Sequence, residues 1–228
     1  MKQKNPKNIV IVGSGNIGSR HYESLRYIKD KNTKVFIFNP LKDFEKCKVM
    51  DNKVNLEVFY ISDLEIIPEN IFFLIISTNA DVRFKLLEIL LRKFKVRFLL
   101  LEKILFQEIP HYYQSIELCN KYTLRTWVNT PLRQFKAFQL FQKENTNNES
   151  FNLKVSGPEW GLACNFIHFI DYFSFLNQSN KIVIKEKQLT KYSSKREGFY
   201  DFYGKISGVL NNKSIFFFRI VSRKIFKK

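Results

Sequence analysis

The chain has 228 residues, of which 38 are Lys or Arg and 21 Asp or Glu, for a formal charge of +17; 45% are hydrophobic, including 24 Phe. This is too apolar for a disordered tail and long enough for one large or two modest domains. The longest apolar stretches, Ile71–Ile76 and Phe98–Leu101, stop far short of the roughly 18–20 residues that span a bilayer, so neither a transmembrane helix nor a membrane partner is expected.

Behind the charged start MKQKNPKN the first apolar run is only Ile9–Val12, too short for the core of a signal peptide, and a cytoplasmic location is expected. Cys47, Cys119 and Cys164 are odd in number and never spaced C-x-x-C, so neither a disulfide framework nor a metal site is suggested. The positive charge invites a nucleic-acid reading. Its distribution argues against one: residues 1–125 carry +7 (21 basic, 14 acidic) and residues 126–228 carry +10 (17 basic, 7 acidic), with no stripe. Abundant Lys, Asn, Ile and Phe fit an AT-rich coding sequence, and the excess charge remains compatible with a small anionic substrate.

Along the first half, apolar runs of strand length alternate with amphipathic stretches of helix length, the rhythm of repeated βαβ units. Strands are expected at Asn8–Val12, Lys34–Phe38, Leu56–Ile61, Ile71–Ser77, Val96–Leu101 and Thr123–Val128, several apolar throughout, as in a parallel sheet covered on both faces. Val82, Leu86, Leu87, Leu90 and Leu91 recur at helical spacing and predict one of the covering helices. The expectation is an α/β doubly wound domain over residues 1–125. From about residue 126 the texture changes to α+β. A helix is expected over Pro131–Lys143, then a polar break, one apolar helix, and strands at Asn152–Ser156, Lys181–Thr190, Asp201–Leu210 and Lys213–Val221. The last two are joined by a hairpin turn at Asn211-Asn212, and the sheet over 126–228 is expected to be open and mainly antiparallel.

The first strand runs into Gly13-Ser14-Gly15-Asn16-Ile17-Gly18, a G-x-G-x-x-G turn that opens an amphipathic helix bearing Ile17, Leu25 and Ile28. In that context Gly13 permits the tight turn, Gly15 lets a pyrophosphate approach the backbone and Gly18 lets helix pack on strand, with helix-terminal N–H groups of Asn16 and Ile17 left for the anion. Twenty-one residues beyond Gly18, at the end of the second strand, stands Asn39, where an Asp or Glu would hold the adenosine ribose and repel a 2′-phosphate. Asn39 lacks that repulsion and Lys42 is near in sequence, so the cofactor is NAD or NADP, with neither favoured.

Three further segments, Ile75-Ile76-Ser77-Thr78-Asn79, Leu100-Leu101-Glu102-Lys103 and Gly161-Leu162-Ala163-Cys164-Asn165-Phe166-Ile167-His168-Phe169-Ile170-Asp171, follow in an order that resembles the Gfo/Idh/MocA oxidoreductase family. The resemblance covers roughly residues 8–176 and, more faintly, Ser194–Gly204. It implies an amino-terminal Rossmann domain, a carboxy-terminal α+β domain, and hydride transfer between NAD or NADP and a sugar, inositol or nucleotide sugar. Lys103 matches the family lysine that binds the substrate hydroxyl or moves the proton accompanying the hydride, as an ammonium beside a nascent alkoxide is suited to do. Glu102, Thr78 and Asn79 fall at coenzyme positions by the same resemblance. His168 matches a family histidine that binds substrate or relays a proton to Lys103. Asn165 would orient it, and Asp171, one turn on, and Arg133 would contact substrate, Arg133 by pairing with a carboxylate or phosphate. Asn129 lies where relatives contact substrate, and Lys195-Arg196 form a second basic pair near a loop.

Several positions depart from the family pattern. Ile104 replaces a proline commonly preceded by a cis peptide, a bond that costs roughly 2.5–4 kcal/mol before other residues, so the bend there stays open. Ala80 follows Thr78-Asn79, Arg83 stands where a histidine is frequent, and Cys164 takes the place of an aspartate. Relatives run considerably longer, so the carboxy-terminal domain is expected to be shortened. Its sheet would then leave Phe216, Phe217, Phe218 and Ile220 as an apolar face in need of a partner, such as a second copy of the chain. The leading expectation is an oxidoreductase acting on a sugar or nucleotide-sugar hydroxyl or ketone. The alternative is a dinucleotide-binding sensor or subunit without turnover.

Overall fold

The computed structural model describes residues 6–145, 150–194, 197–211 and 213–221, and the chain divides into two compact units, Met1–Asn129 and Thr130–Lys228. Lys195, Arg196 and Asn212 lie outside the described residues.

The first unit is an α/β layer structure. Strands β1 (Lys7–Val12), β2 (Thr33–Phe38), β3 (Glu57–Ile61), β4 (Asn70–Ile76), β5 (Lys95–Leu101) and β6 (Arg125–Val128) form one sheet in the order β3-β2-β1-β4-β5-β6. Every neighbouring pair is parallel. This is the doubly wound Rossmann order, with the reversal between β1 and β4. Residues of β1 alternate between two cores. Ile9 and Ile11 join Tyr22 of α1 (Asn16–Ser24) and Cys47 of α2 (Glu45–Lys48), while Val10 and Val12 join Leu87, Leu90 and Leu91 of α3 (Ala80–Lys93). A strand wetted on neither face needs apolar residues at every position, which is why β1 reads as a continuous apolar run. The helix α4 (Ile109–Lys121) follows β5.

The second unit is α+β. Strands β7 (Leu153–Pro158), β8 (Ile182–Ser193), β9 (Tyr200–Leu210) and β10 (Ser214–Val221) form a sheet in the order β7-β10-β9-β8, parallel between β7 and β10 and antiparallel elsewhere. Helix α6 (Leu162–Leu176) covers one face of it.

Two expectations are corrected here. The single helix expected over Pro131–Lys143 is a 3₁₀ turn, Pro131–Gln134, followed by α5 (Lys136–Glu144), with Phe135 extended between them at φ −73° and ψ 129°. Breaking the helix lets Arg133 turn towards Asp171 while Phe138 packs at a tilt against Tyr172, ring centroids 4.6 Å apart. The apolar face of β10 is covered within the chain: Phe216, Phe218 and Ile220 are at most 1% exposed, and Phe166 and Phe173 of α6 meet Phe218 and Phe216 edge-on at 4.8 and 6.1 Å. Phe217 points the other way and is half-buried. Strand alternation divides the run between two faces, and α6 supplies the partner for one of them.

Among the described residues, no helix is long and apolar enough to cross a membrane. Phe218→Ala should empty the space under α6 and lower unfolding free energy by about 3–5 kcal/mol, measured by urea denaturation followed by circular dichroism.

Candidate functional site

The glycine turn shows which of its three glycines serve the fold. Gly13 has φ +98°, and its carbonyl, with that of Val12, accepts from the Ser77 hydroxyl at the end of β4, each at 2.9 Å. A Cβ on Gly18 would fall 1.9 Å from the Gly13 carbonyl oxygen, so α1 can cross the end of β1 only without a side chain there. Gly15 differs. Its φ of −69° suits any residue, and a Cβ there would meet no atom within 4 Å. Nothing in the packing of the described residues requires that glycine; it leaves open the space in front of α1. The helix begins at Asn16 with no side-chain cap and no acidic residue in its first turn. Its leading N–H groups, including those of Asn16 and Ile17, therefore face that space with the positive end of the helix dipole.

At the end of β2, Asn39 braces the turn. Its Nδ2 donates to Ser14 Oγ at 2.6 Å and to the Asp43 carbonyl at 2.9 Å, and its Oδ1 accepts from the Leu41 N–H at 3.0 Å. Ser14 Oγ in turn donates to the Asp43 carbonyl. The carboxamide thus ties the β2 turn to the glycine loop, and no carboxylate stands at that position.

Glu102 follows β5 directly and is 4% exposed. Its Oε1 accepts from His21 Nε2 and from Asn129 Nδ2, both at 2.6 Å. Burial by itself raises the Glu102 carboxyl, but these two hydrogen bonds and the positive charges of His21 and Arg83 outweigh it and hold the group below the ordinary carboxylate value. Asn129, expected from the sequence to lie where substrate is contacted, is hydrogen-bonded to Glu102. Lys103 follows, half-buried, and the Lys103–Ile104 peptide bond is cis, which answers the question the sequence left open at Ile104.

His21 and Arg83 were missed by sequence reasoning as parts of this site. Arg83, 2% exposed, donates from Nη1 to the carbonyls of Glu102 (2.6 Å), Leu105 (2.7 Å) and Ile104, and from Nη2 to that of Thr78. Burial pulls its pKa down to about 10 against the lifting effect of Glu102, so it stays charged at neutral pH. A signal existed: positions 83, 87 and 90 share a helix face, which put a guanidinium on the core side of α3.

In the second unit Gly161, at φ +77°, precedes α6 and has no side chain with which to cap it. Asp201 of β9, 7% exposed, takes over, accepting the Ala163 N–H at 2.9 Å. Asn165 Nδ2 donates to the Trp160 carbonyl at 2.6 Å. Asn165 and His168 line a cavity of about 330 Å³ with Pro131, Leu132, Trp160 and Phe169, the last two rings edge-to-face at 5.4 Å. The other two expected substrate residues bind each other. Arg133 Nε donates to Asp171 Oδ2 at 2.7 Å and Nη2 to Oδ1, a bidentate pair. Neither lines that cavity, and Arg133 borders a second one of about 520 Å³ with Gln142, Ser174 and Phe175.

No family model matches the chain, and no curated protein matches it in sequence. Solved structures do share its fold. UDP-N-acetylglucosamine 3-dehydrogenase GnnA from Acidithiobacillus ferrooxidans is 14% identical with a TM-score of 0.69, over 94% of this chain and 70% of that one. GenD2 from gentamicin A biosynthesis, solved in complex with NAD, is 12% identical with a TM-score of 0.69, over 96% and 67%. A Klebsiella pneumoniae protein assigned as an oxidoreductase is 17% identical with a TM-score of 0.67, over 95% and 62%. The chain thus spans 62–70% of the length of these three proteins. At such identities the likeness is one of fold: a Rossmann sheet followed by an α+β unit.

Replacing Glu102 by Gln should lower stability at pH 7 by about 1–3 kcal/mol, since His21 and Asn129 lose a buried charged acceptor. The native carboxyl sits below its unfolded value of about 4.3, so its contribution is present above that pH and is lost as pH falls through the lowered value. Urea midpoints of wild type and E102Q should therefore differ at pH 7 and converge in acid. Asp201→Ala should cost about 0.5–2 kcal/mol by uncapping α6, read from thermal unfolding.

Proposed function

We propose that the chain is an NAD(P)-dependent oxidoreductase that transfers hydride to or from a hydroxyl or ketone carbon of a sugar or nucleotide sugar. The observation that carries this reading is Gly15, which the fold does not need and whose missing side chain keeps open the approach to the N-terminus of α1. That space suits a pyrophosphate: backbone N–H groups of the Gly13–Gly18 turn with a helix dipole behind them, and no acidic residue in the first turn of α1. In this reading residues 1–125 form the dinucleotide-binding domain and residues 126–228 the substrate domain. Two structural neighbours, one a UDP-N-acetylglucosamine 3-dehydrogenase and one solved in complex with NAD, support the class.

A bound nicotinamide would supply the hydride acceptor or donor. Thr78 and Asn79, on the loop after β4, border the coenzyme beside Glu102. The turn around Asn39 and Ser14 receives the adenosine ribose; without a carboxylate at 39 it repels neither NAD nor NADP. Lys103 holds the proton: its ammonium donates to the substrate oxygen during reduction, or its amine takes the hydroxyl proton during oxidation. His168 and Asn165 give hydrogen bonds to substrate hydroxyls, while Trp160 and Phe169 offer ring surface to the apolar face of a sugar.

Titration of the tryptophan and nicotinamide fluorescence with NADH and NADPH should show saturable binding. Gly15→Trp should abolish it with the far-ultraviolet dichroism and melting temperature unchanged; absence of binding to the wild type would sink the reading. Against a panel of nucleotide sugars and inositols, Lys103→Met should keep coenzyme affinity and lose turnover by about 10²-fold or more. Coenzyme binding with no turnover of any candidate by the wild type would favour the non-catalytic sensor.

A further inference from the structure

We infer that Arg83 is the positioning residue for Lys103, fastening the amine-bearing segment after β5 to the Thr78 loop after β4 so that the two move as one body. The inference rests on the role of Lys103 proposed above.

The geometry is that of a strap. A single guanidinium, 2% exposed and in the first turn of α3, meets the carbonyls of Glu102 and Leu105 at 2.6 and 2.7 Å and that of Ile104 on one side, and the carbonyl of Thr78 on the other. Three of those carbonyls bracket Lys103: one belongs to the residue before it and two to the residues immediately after. Elsewhere α3 fills its core face with Leu87, Leu90 and Leu91, so an apolar side chain at 83 would have completed the stripe. A guanidinium buried there at the expense of its hydration is retained for what it binds. Its planar fork spans two loops at once; a lysine ammonium, as a compact point charge, cannot reach both. Placement of an amine matters because an error of about 1 Å in a reacting group can lower the rate about 10²-fold. The carboxyl of Glu102 is held separately by His21 and Asn129, so the side chain before Lys103 and the backbone on both sides of it have independent anchors.

Two measurements on the full chain test this without coenzyme, so their outcome is separate from that of the Gly15→Trp titration. The first is amide hydrogen exchange of the wild type: peptides covering Ser77–Arg83 and Glu102–Phe106 should open with one common rate, and clearly different rates would overturn the strap. The second is the ¹³C resonance of Lys103 after reductive dimethylation, assigned by its loss in Lys103→Arg. In Arg83→Gln and in Arg83→Lys it should shift towards the position of an exposed lysine, and exchange in both segments should rise at least about tenfold while Leu87–Lys93 stays protected. A Lys103 resonance that is unmoved in either folded variant, whatever happens to its melting temperature, would reduce Arg83 to a structural bolt and overturn the proposal.

Discussion

Where α1 crosses the end of β1 there is no volume for a side chain. A Cβ at position 18 would sit 1.9 Å from the carbonyl oxygen of Gly13, and the rest of the site follows from that contact. It lets helix and strand meet closely beside Gly13, which takes a positive φ and whose carbonyl Ser77 holds from the neighbouring strand. The same close crossing aims the free end of α1 at open space in front of Gly15. One turn along, it carries His21 to the end of β5, where it meets Glu102. A packing constraint at one glycine thus sets both the anion-facing turn and the scaffold of the residue before Lys103.

The electrostatics around Glu102 show how a buried carboxylate is kept charged. Desolvation works against the ion, while two hydrogen bonds and two nearby positive groups work for it and prevail. A half-satisfied buried network would be worse than an apolar one; here the Oε1 acceptor is met from α1 and from the end of β6. The second unit solves a different problem with the same economy of means. A left-handed glycine begins α6, so the cap comes from Asp201 on β9, and the helix bearing Asn165 and His168 is held by a strand of the sheet it covers.

Structural likeness at 12–17% identity to a UDP-sugar dehydrogenase, a protein of gentamicin A biosynthesis and an oxidoreductase reports a shared scaffold, and scaffolds of this kind host many chemistries. What individualises this chain on that scaffold are contacts made by its own side chains. Arg83 binds backbone carbonyls on two loops, Asn39 braces the glycine turn, and Arg133 with Asp171 forms a closed ion pair.

The strands of the first unit, the glycine turn and the doubly wound order were legible in the chain itself, because each follows from local rules. Buried strands are apolar at every position, and a phosphate-type turn needs small residues at fixed spacing. Partners distant in sequence were not legible: that Arg133 pairs with Asp171, and Asn129 with Glu102, follows only from the folded chain. Phe216 and Phe218 looked exposed until α6 lay over them. Residue type and spacing determined which groups were available for chemistry. Only the tertiary structure decided which partners each of them meets, because those partners lie far off in sequence and are brought together by the chain's long-range contacts.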